Sequence, residues 1–280
     1  MLRSDTNPPT FERRSVVPVA TYVVTIAVLT GLLLVSPSHS PVLGMVWGVF
    51  LVGLGVGALT VEGISPRSIL PPVRTLVPAI AVLVAFWALY NLVAFGLALG
   101  GVSGFETTGS KAAAHPALYL GALLSSLLFT AIPEELVFRA YLQQKFTALA
   151  DGETRRTVAT GVAVAAVLFA LFHLPRWFLG SGHGVGTALA VRLLGLTLMG
   201  IAYGVVYALT GNLWLVALFH ATMNQPPFVV TVSVPAELHL LVGVVEYAAI
   251  VSTVYVAVRV TEPEESALVW SRRAASSTSD

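Results

Sequence analysis

Cysteine is absent from this chain. Disulfide bonds, thiolate metal sites and cysteine nucleophiles are therefore excluded, and any bound metal must use nitrogen or oxygen ligands. Charge is also scarce, because only 10% of the residues are Asp, Glu, Lys or Arg, against roughly 25% in soluble domains. A water-facing surface cannot be built from so few charges, so we expect the chain to lie in a bilayer.

Long apolar runs occupy most of the sequence. A run of about 17 to 25 apolar residues is long enough to cross the hydrocarbon core as a helix. The sequence therefore predicts an all-α polytopic membrane protein with a single transmembrane domain at 18–258, a polar tail at 1–17 and another at 259–280. Its eight spanning helices are expected at residues 18–35, 42–61, 76–99, 116–140, 157–176, 187–209, 212–232 and 238–258.

Basic residues are distributed unevenly between the two sets of loops. With both termini in the cytoplasm, the external loops hold only Lys111 and Arg176. The positive-inside rule favours this orientation, so we expect a multi-pass protein of the plasma membrane with both ends cytoplasmic. No basic patch typical of nucleic-acid binding is visible. The eleven basic residues on the cytoplasmic side would be Arg3, Arg13, Arg14, Arg67, Arg74, Lys145, Arg155, Arg156, Arg259, Arg272 and Arg273.

Ionisable and hydrogen-bonding side chains interrupt three of the apolar segments. The string AIPEELVFRAYLQ contains Glu134 and Glu135, VLFALFHLP contains His173, and WLVALFHATMNQ contains His220 and Asn224. Such groups at membrane depth cost kilocalories each unless they are paired or solvated, and they mark functional sites in membrane proteins. We therefore expect the fourth, fifth and seventh helices to bring these side chains together.

The two adjacent acids of the fourth segment are expected to differ in role. Neighbouring residues point about 100° apart on a helix, whereas Glu135 and Arg139 are four apart and share a face. Glu135 is therefore placed to pair with Arg139, and Glu134 is free to point into the bundle. Pro133 removes a backbone donor just before them and can widen a cavity there. The alternative is a structural Glu–Arg pair that reaches toward the membrane surface.

The remaining polar residues suit hydrolysis. Glu134 can act as general base on a water molecule. The histidines have two open roles: with Glu134 they can ligate a divalent metal, with zinc as the expected ion, or His173 can help Glu134 to activate water while His220 and Asn224 stabilise an oxyanion. A buried packing role is the simpler alternative for His173, which shares a face with Phe169.

Three motifs resemble those of a known family. EELVFR, FALFH and HATMN resemble EExxxR, FxxxH and HxxxN, the motifs of the CAAX prenyl-protease and bacteriocin-processing family of intramembrane endopeptidases, which includes the type II CAAX prenyl endopeptidases. They occur in the family's order on three helices, within residues 115–230. Ala140 stands where the family usually has glycine.

The resemblance implies cleavage of a peptide bond in a membrane-associated, lipid-modified or prenylated CAAX-type substrate. The catalytic residues it implies are Glu134, Glu135, Arg139, His173, His220 and Asn224. It leaves the choice between a zinc site at Glu134, His173 and His220 and a metal-free glutamate mechanism open. From the depth of these residues along their helices, we expect the site to lie toward the cytoplasmic side.

Two other functions are compatible with the same residues. Carboxylates and histidines inside a membrane also form ion relays, as in a proton- or metal-coupled transporter, although the chain shows no internal repeat typical of many transporters. An inactive membrane scaffold is the third reading. Glu246, in the eighth segment, is expected to pair with an arginine or to line the cleft, and Arg192 is expected to reach the external membrane surface.

Overall fold

A computed structural model describes residues 2, 11, 12, 14–35, 41–150 and 154–261. Seven of the long helices in this part of the chain, all except α7, are long and apolar enough to span a membrane. The chain is thus an all-α polytopic membrane protein, as predicted. The helices are α1 (Val16–Val35), α2 (Pro41–Val61), α3 (Leu76–Leu99), α4 (Pro116–Leu149), α5 (Arg155–Gly180), α6 (Thr187–Thr210), α7 (Leu213–Asn224) and α8 (His239–Thr261).

The count of eight spanning helices is not confirmed, because α7 is shorter than predicted. The apolar segment at 212–232 is helical only from Leu213 to Asn224, and 12 residues extend about 18 Å at 1.5 Å per residue. The helix stops where Pro226 follows Gln225, since proline disfavours the helical conformation in the residue before it. α7 therefore ends partway along the bundle.

A small sheet, which the sequence did not predict, joins two loops. β1 (Phe105–Gly109) pairs antiparallel with β2 (Val230–Val232). The pairing ties the loop that precedes α4 to the loop that follows α7. It anchors the entry of α4 beside the exit of α7, which are the two helices that carry Glu134 and His220.

Helix directions divide the molecule into two ends. The sheet end contains the β1–β2 sheet and the loops at 100–115 and 225–238, which follow α3 and α7. The termini end contains the start of α1, the end of α8 and the loop at 62–75. Because each spanning helix crosses from one end to the other, every site residue can be assigned a position between them.

The core lies around the second half of α4. Every residue from Pro133 to Lys145 is buried, and a helix that is buried on all sides lies at the centre of its bundle. Two stretches of this helix, Leu127–Ala131 and Leu136–Gln143, form wide π-helical turns. Such turns are rare and often mark functional sites. Here they flank Glu134 and Glu135.

Pro133 explains a close contact between α4 and α2. Proline has no N–H, so the carbonyl of Phe129, four residues earlier, lacks its usual helical donor. Gly48 of α2 lies against this carbonyl, and a Cβ atom at Gly48 would come within 2.4 Å of its oxygen. The glycine thus allows the distorted part of α4 to approach α2.

A pair of alanine substitutions in α2 tests this contact. Gly48→Ala should destabilise the protein by about 1–3 kcal/mol, because the added methyl group overpacks the interface. Gly53→Ala is the matched control, since a Cβ atom at Gly53 meets nothing within 4 Å. Thermal unfolding in detergent should show a lower midpoint for Gly48→Ala only; equal midpoints for both variants would contradict the close approach.

Candidate active site

A cleft of about 1390 Å³ penetrates the bundle from the sheet end. Near the sheet end, its wall includes the apolar side chains Leu33 and Leu193, from α1 and α6. Glu134, His173, His220 and Asn224 line the same cleft, so four of the six residues predicted for catalysis reach one space. The other two, Glu135 and Arg139, are fully buried and lie behind it.

Glu135 connects Arg139 to His220. Its Oε2 accepts a 2.9 Å hydrogen bond from Arg139 Nε, which is the pairing that their spacing predicted. Its Oε1 lies 2.7 Å from His220 Nδ1. The guanidinium also lies 5.1 Å from the centroid of the Phe169 ring. One buried carboxylate thus fixes the imidazole of α7 from its rear side and leaves Nε2 directed toward Glu134.

Glu134 is the acid that faces the cleft. Its Oε2 lies 3.8 Å from His220 Nε2, and it accepts no hydrogen bond from any residue in the described ranges. Only 3% of the residue is exposed, so a carboxylate oxygen is held inside the protein without a direct donor. Polar atoms separated by slightly more than hydrogen-bond distance are commonly bridged by water. This pair of atoms can therefore hold a water molecule between them.

His173 presents its other nitrogen to the cleft. Its Nδ1 lies 2.8 Å from the Phe169 carbonyl oxygen, and because a carbonyl only accepts, Nδ1 must donate, which leaves a lone pair on Nε2 in the neutral ring. The ring can turn back in this way because the α-helical part of α5 ends at Phe172. Phe169 contacts both imidazoles, with ring centroids 4.8 Å from His173 and 6.0 Å from His220.

Asn224 lies one turn beyond His220. It is the last residue of α7, it is exposed, and it lines the cleft. Because the helix ends after this residue, the Asn224 carboxamide can reach the cleft. A helix that continued across the membrane would have covered the carboxamide. A carboxamide offers both a donor and an acceptor to a polar ligand.

Tyr203 of α6 is a site residue that sequence reasoning missed. Its ring centroid lies 5.5 Å from that of His220, and its buried hydroxyl has no hydrogen-bond partner in the part of the chain that the structure describes. The sequence feature that could have identified Tyr203 is its position between Gly200 and Gly204, where α6 closely approaches Ala166 and Val162 of α5. Small residues on both sides of a tyrosine permit this close packing.

Two cleft residues outside the motifs have defined positions. Glu246 lines the cleft and accepts a 2.6 Å hydrogen bond from the Tyr90 hydroxyl, so its partner is a tyrosine rather than an arginine. Arg192 is exposed and also lines the cleft. The cleft therefore contains one carboxylate with a protein donor and one, Glu134, without.

The residues predicted as zinc ligands meet only part of what such a site requires. Metal-ligating histidines usually donate their second ring nitrogen to a carboxylate or a carbonyl, and both His173 and His220 have such an acceptor at Nδ1. Within the described ranges, however, no group of three or more His, Asp or Glu side chains is arranged to hold a metal ion. The zinc site at Glu134, His173 and His220 therefore stays a prediction.

Family comparison places this site in a known context. Residues 116–225 match the family described as type II CAAX prenyl endopeptidase Rce1-like. The match runs from the start of α4 to just past α7, and it contains all six predicted catalytic residues. This part of the chain is thus similar to the CAAX prenyl proteases. Neither a curated protein nor a solved structure matches the chain.

The family match over these residues confirms the resemblance predicted from the three motifs. It supports a hydrolase of the CAAX-type intramembrane endopeptidase class, acting on a peptide or a prenylated protein in a membrane environment. The apolar helices agree with a multi-pass integral membrane protein. The match leaves the individual catalytic residues and the metal as predictions.

The direction in which the cleft opens bears on two predictions, that the termini are cytoplasmic and that the active site lies toward the cytoplasm. The cleft opens at the sheet end, where its rim includes Ser181 and Ala236, whereas α1 begins and α8 ends at the termini end. Cytoplasmic termini and a cytoplasmic active site therefore exclude each other. The predicted depth was measured along single helices, whereas α4 and α5 run in opposite directions and place their polar residues at different distances from the termini end.

The buried Glu135–Arg139 pair yields a stability prediction. Arg139→Met should lower the free energy of unfolding by about 3–5 kcal/mol, because it leaves a buried carboxylate without its countercharge. Adding Glu135→Gln should restore much of the lost stability, because the double variant contains neither the buried carboxylate charge nor the guanidinium that balanced it. Thermal unfolding of the two single variants and the double variant forms the cycle. Additive losses would show that the two side chains do not interact.

Proposed function

We propose that this protein is an intramembrane endopeptidase in which Glu134 activates the attacking water. The observation that carries the proposal is the Glu134 carboxylate oxygen, which is buried, lacks a donor among the described residues and lies 3.8 Å from His220 Nε2 inside an open cleft. A general base must lie within hydrogen-bond reach of the proton it removes, either directly or through one water. Glu134 meets this requirement for a water bound between itself and His220.

His220 is the proposed oxyanion stabiliser, with Asn224 beside it. Glu135 and its partner Arg139 hold the ring, and in this proposal the ring is the imidazolium form, so Nδ1–H donates to Glu135 and Nε2–H is directed toward Glu134 and the cleft. Preorganised donors of this kind stabilise the charge that develops on a carbonyl oxygen during attack. In this proposal, Glu135 and Arg139 act through His220 and are positioning residues. His173 has the opposite role, because its Nε2 accepts and can help Glu134 to orient the water.

The proposed reaction is the hydrolysis of one peptide bond, in which each proton and each broken bond is accounted for. Glu134 takes a proton from water while the water oxygen bonds to the scissile carbonyl carbon, and His220 and Asn224 donate to the resulting oxyanion. Collapse of this intermediate breaks the carbon–nitrogen bond. The protonated Glu134 then delivers its proton to the departing amine, and the products are a carboxylate and a free amino group.

The proposed substrate is an apolar or lipidated peptide segment at the plasma membrane. Leu29, Leu196 and Met199 line the cleft and suit an apolar chain, while Arg176 and Arg192 line it as well and can bind a carboxylate or another anionic group. Prenylated CAAX-type peptides combine an apolar lipid with a terminal carboxylate. They are therefore the first substrates to test.

A divalent metal is not required by this proposal. Were zinc to bind, Glu134, His173 and His220 are the side chains that would hold it, and it would supply Lewis-acid activation of the water. No step of the proposed mechanism passes through it, since the three groups do not form a ligand set in the described arrangement.

Loss of the Glu134 carboxylate should abolish most cleavage. Glu134→Gln keeps the shape of the side chain and removes the base, so we expect kcat to fall by about 10²–10⁴-fold with little change in thermal stability. The measurement is hydrolysis of a fluorogenic prenylated peptide, and of a small peptide library, by purified protein in detergent or liposomes.

The matched control is Glu246→Gln, which removes the other carboxylate that lines the cleft. We expect it to retain most of the activity, because Glu246 is engaged by Tyr90. Equal loss in both variants would contradict the assignment of Glu134 as the base. Proton-driven uptake of a solute into liposomes without cleavage of any peptide would favour the transporter instead.

A chelator tests the metal directly. We expect cleavage to persist after prolonged treatment of the purified enzyme with a strong divalent-metal chelator, because the proposed base and oxyanion donors are protein groups. The control is a soluble zinc peptidase treated in the same buffer. Loss of activity that is restored by added zinc, but not by magnesium, would show that the site uses a metal after all.

A further inference from the structure

We propose that the cleft opens to the extracytoplasmic side of the membrane, so that its substrates are peptide segments in the outer leaflet or in exported proteins. The substrate part rests on the peptidase function proposed above; the sidedness does not. Three features of the molecule support the sidedness: the depth at which the cleft stops, the closure of the opposite end, and the distribution of basic residues between the two ends.

The cleft stops near the middle of the bundle. Its deepest lining residues on α2, α4, α6 and α7 are Trp47, Glu134, Met199 and His220, and in the described ranges no lining residue of these helices lies closer to the termini end. Beyond them the core is filled by large side chains, including Phe138 and Phe219, which are fully buried. A substrate can therefore reach Glu134 only from the sheet end or sideways from the lipid.

A buried polar cluster closes the termini end around Lys145. The Lys145 ammonium lies 2.6 Å from a carboxylate oxygen of Glu62 and also donates to the Glu12 backbone carbonyl. Phe11, which lies next to Glu12, is buried and its ring centroid is 5.6 Å from the same ammonium. Phe11 and Glu12 are thus held against α4 and the residue that follows α2.

A second set of contacts closes the same end around Asn212. Its side-chain amide donates to the backbone carbonyls of Leu2 and Thr75 at 3.0 and 3.3 Å, and both Leu2 and Asn212 are buried. The Trp214 indole donates to the Pro71 carbonyl nearby. Together the two sets cover the end of the bundle that faces away from the cleft.

Basic residues assign the closed end to the cytoplasm. The described part of the termini end carries seven, namely Arg14, Arg67, Arg74, Lys145, Arg155, Arg156 and Arg259, whereas the sheet end carries three, Lys111, Arg176 and Arg192. The cytoplasmic side of a membrane protein carries the excess of lysine and arginine. Two of the three at the sheet end, Arg176 and Arg192, line the cleft and so have a local role there. The open face of the cleft is therefore the external one.

The absence of native cysteine makes the sidedness directly measurable. Ser181→Cys lies on the rim of the cleft and Ser68→Cys lies on a loop of the termini end, and both serines are exposed. Neither belongs to the catalytic machinery. A membrane-impermeant maleimide added to intact cells should label Ser181→Cys as strongly as in broken cells, and should label Ser68→Cys only after the cells are broken. The reverse pattern would overturn the proposal.

The substrate class is tested with two membrane-anchored reporters that carry the same apolar cleavage segment, one displayed outside the cell and one inside. We expect cleavage of the external reporter alone, and its loss in the Glu134→Gln variant. Cleavage of the internal reporter alone would overturn the assignment of substrates. If the labelling pattern is as expected and neither reporter nor any peptide is cleaved, then the peptidase function fails and the sidedness stands.

Discussion

The Glu135 carboxylate is the group on which the geometry of the site depends. It is fully buried, and it satisfies its two oxygens with Arg139 on its own helix and with His220 on α7. A buried charge is tolerated only when it is paired and hydrogen-bonded, so the two helices must meet at this point. Glu134, at the neighbouring position of α4, lies on the other side of the same imidazole, with Oε2 3.8 Å from Nε2. The two adjacent acids thus place a buried ion pair behind the imidazole and a second carboxylate in front of it.

Helix irregularity makes room for this arrangement within a bundle of otherwise regular spans. Pro133 and the π-helical turns on either side of the two acids widen α4, and Gly48 allows α2 to follow the distortion. α5 loses its regular geometry at His173, and α7 ends at Asn224. The two acids of α4, His173 and Asn224 therefore lie at or beside places where helical backbone geometry is interrupted. These interruptions produce a polar cleft in a molecule whose lipid-facing surface remains apolar.

Much of this could be predicted from sequence. Glu135 and Arg139 are four residues apart, and that spacing alone predicts their pairing; the three motifs likewise predicted the family. What the sequence did not predict depends on contacts between distant segments. Tyr203 contacts His220 across the packing of α6 against α7, and the β1–β2 sheet joins residues more than a hundred positions apart. Sidedness depends on the directions of all the helices at once, so depth along a single helix does not determine it.

The most direct measurement is an experimental structure of the protein with a non-hydrolysable peptide analogue, in which a tetrahedral group replaces the scissile carbonyl. The account predicts that one oxygen of this group lies about 3 Å from His220 Nε2 and another about 3 Å from Glu134, as hydrogen-bond geometry requires. An analogue bound with its tetrahedral group more than about 10 Å from Glu134, far beyond the reach of one bridging water, would contradict the account.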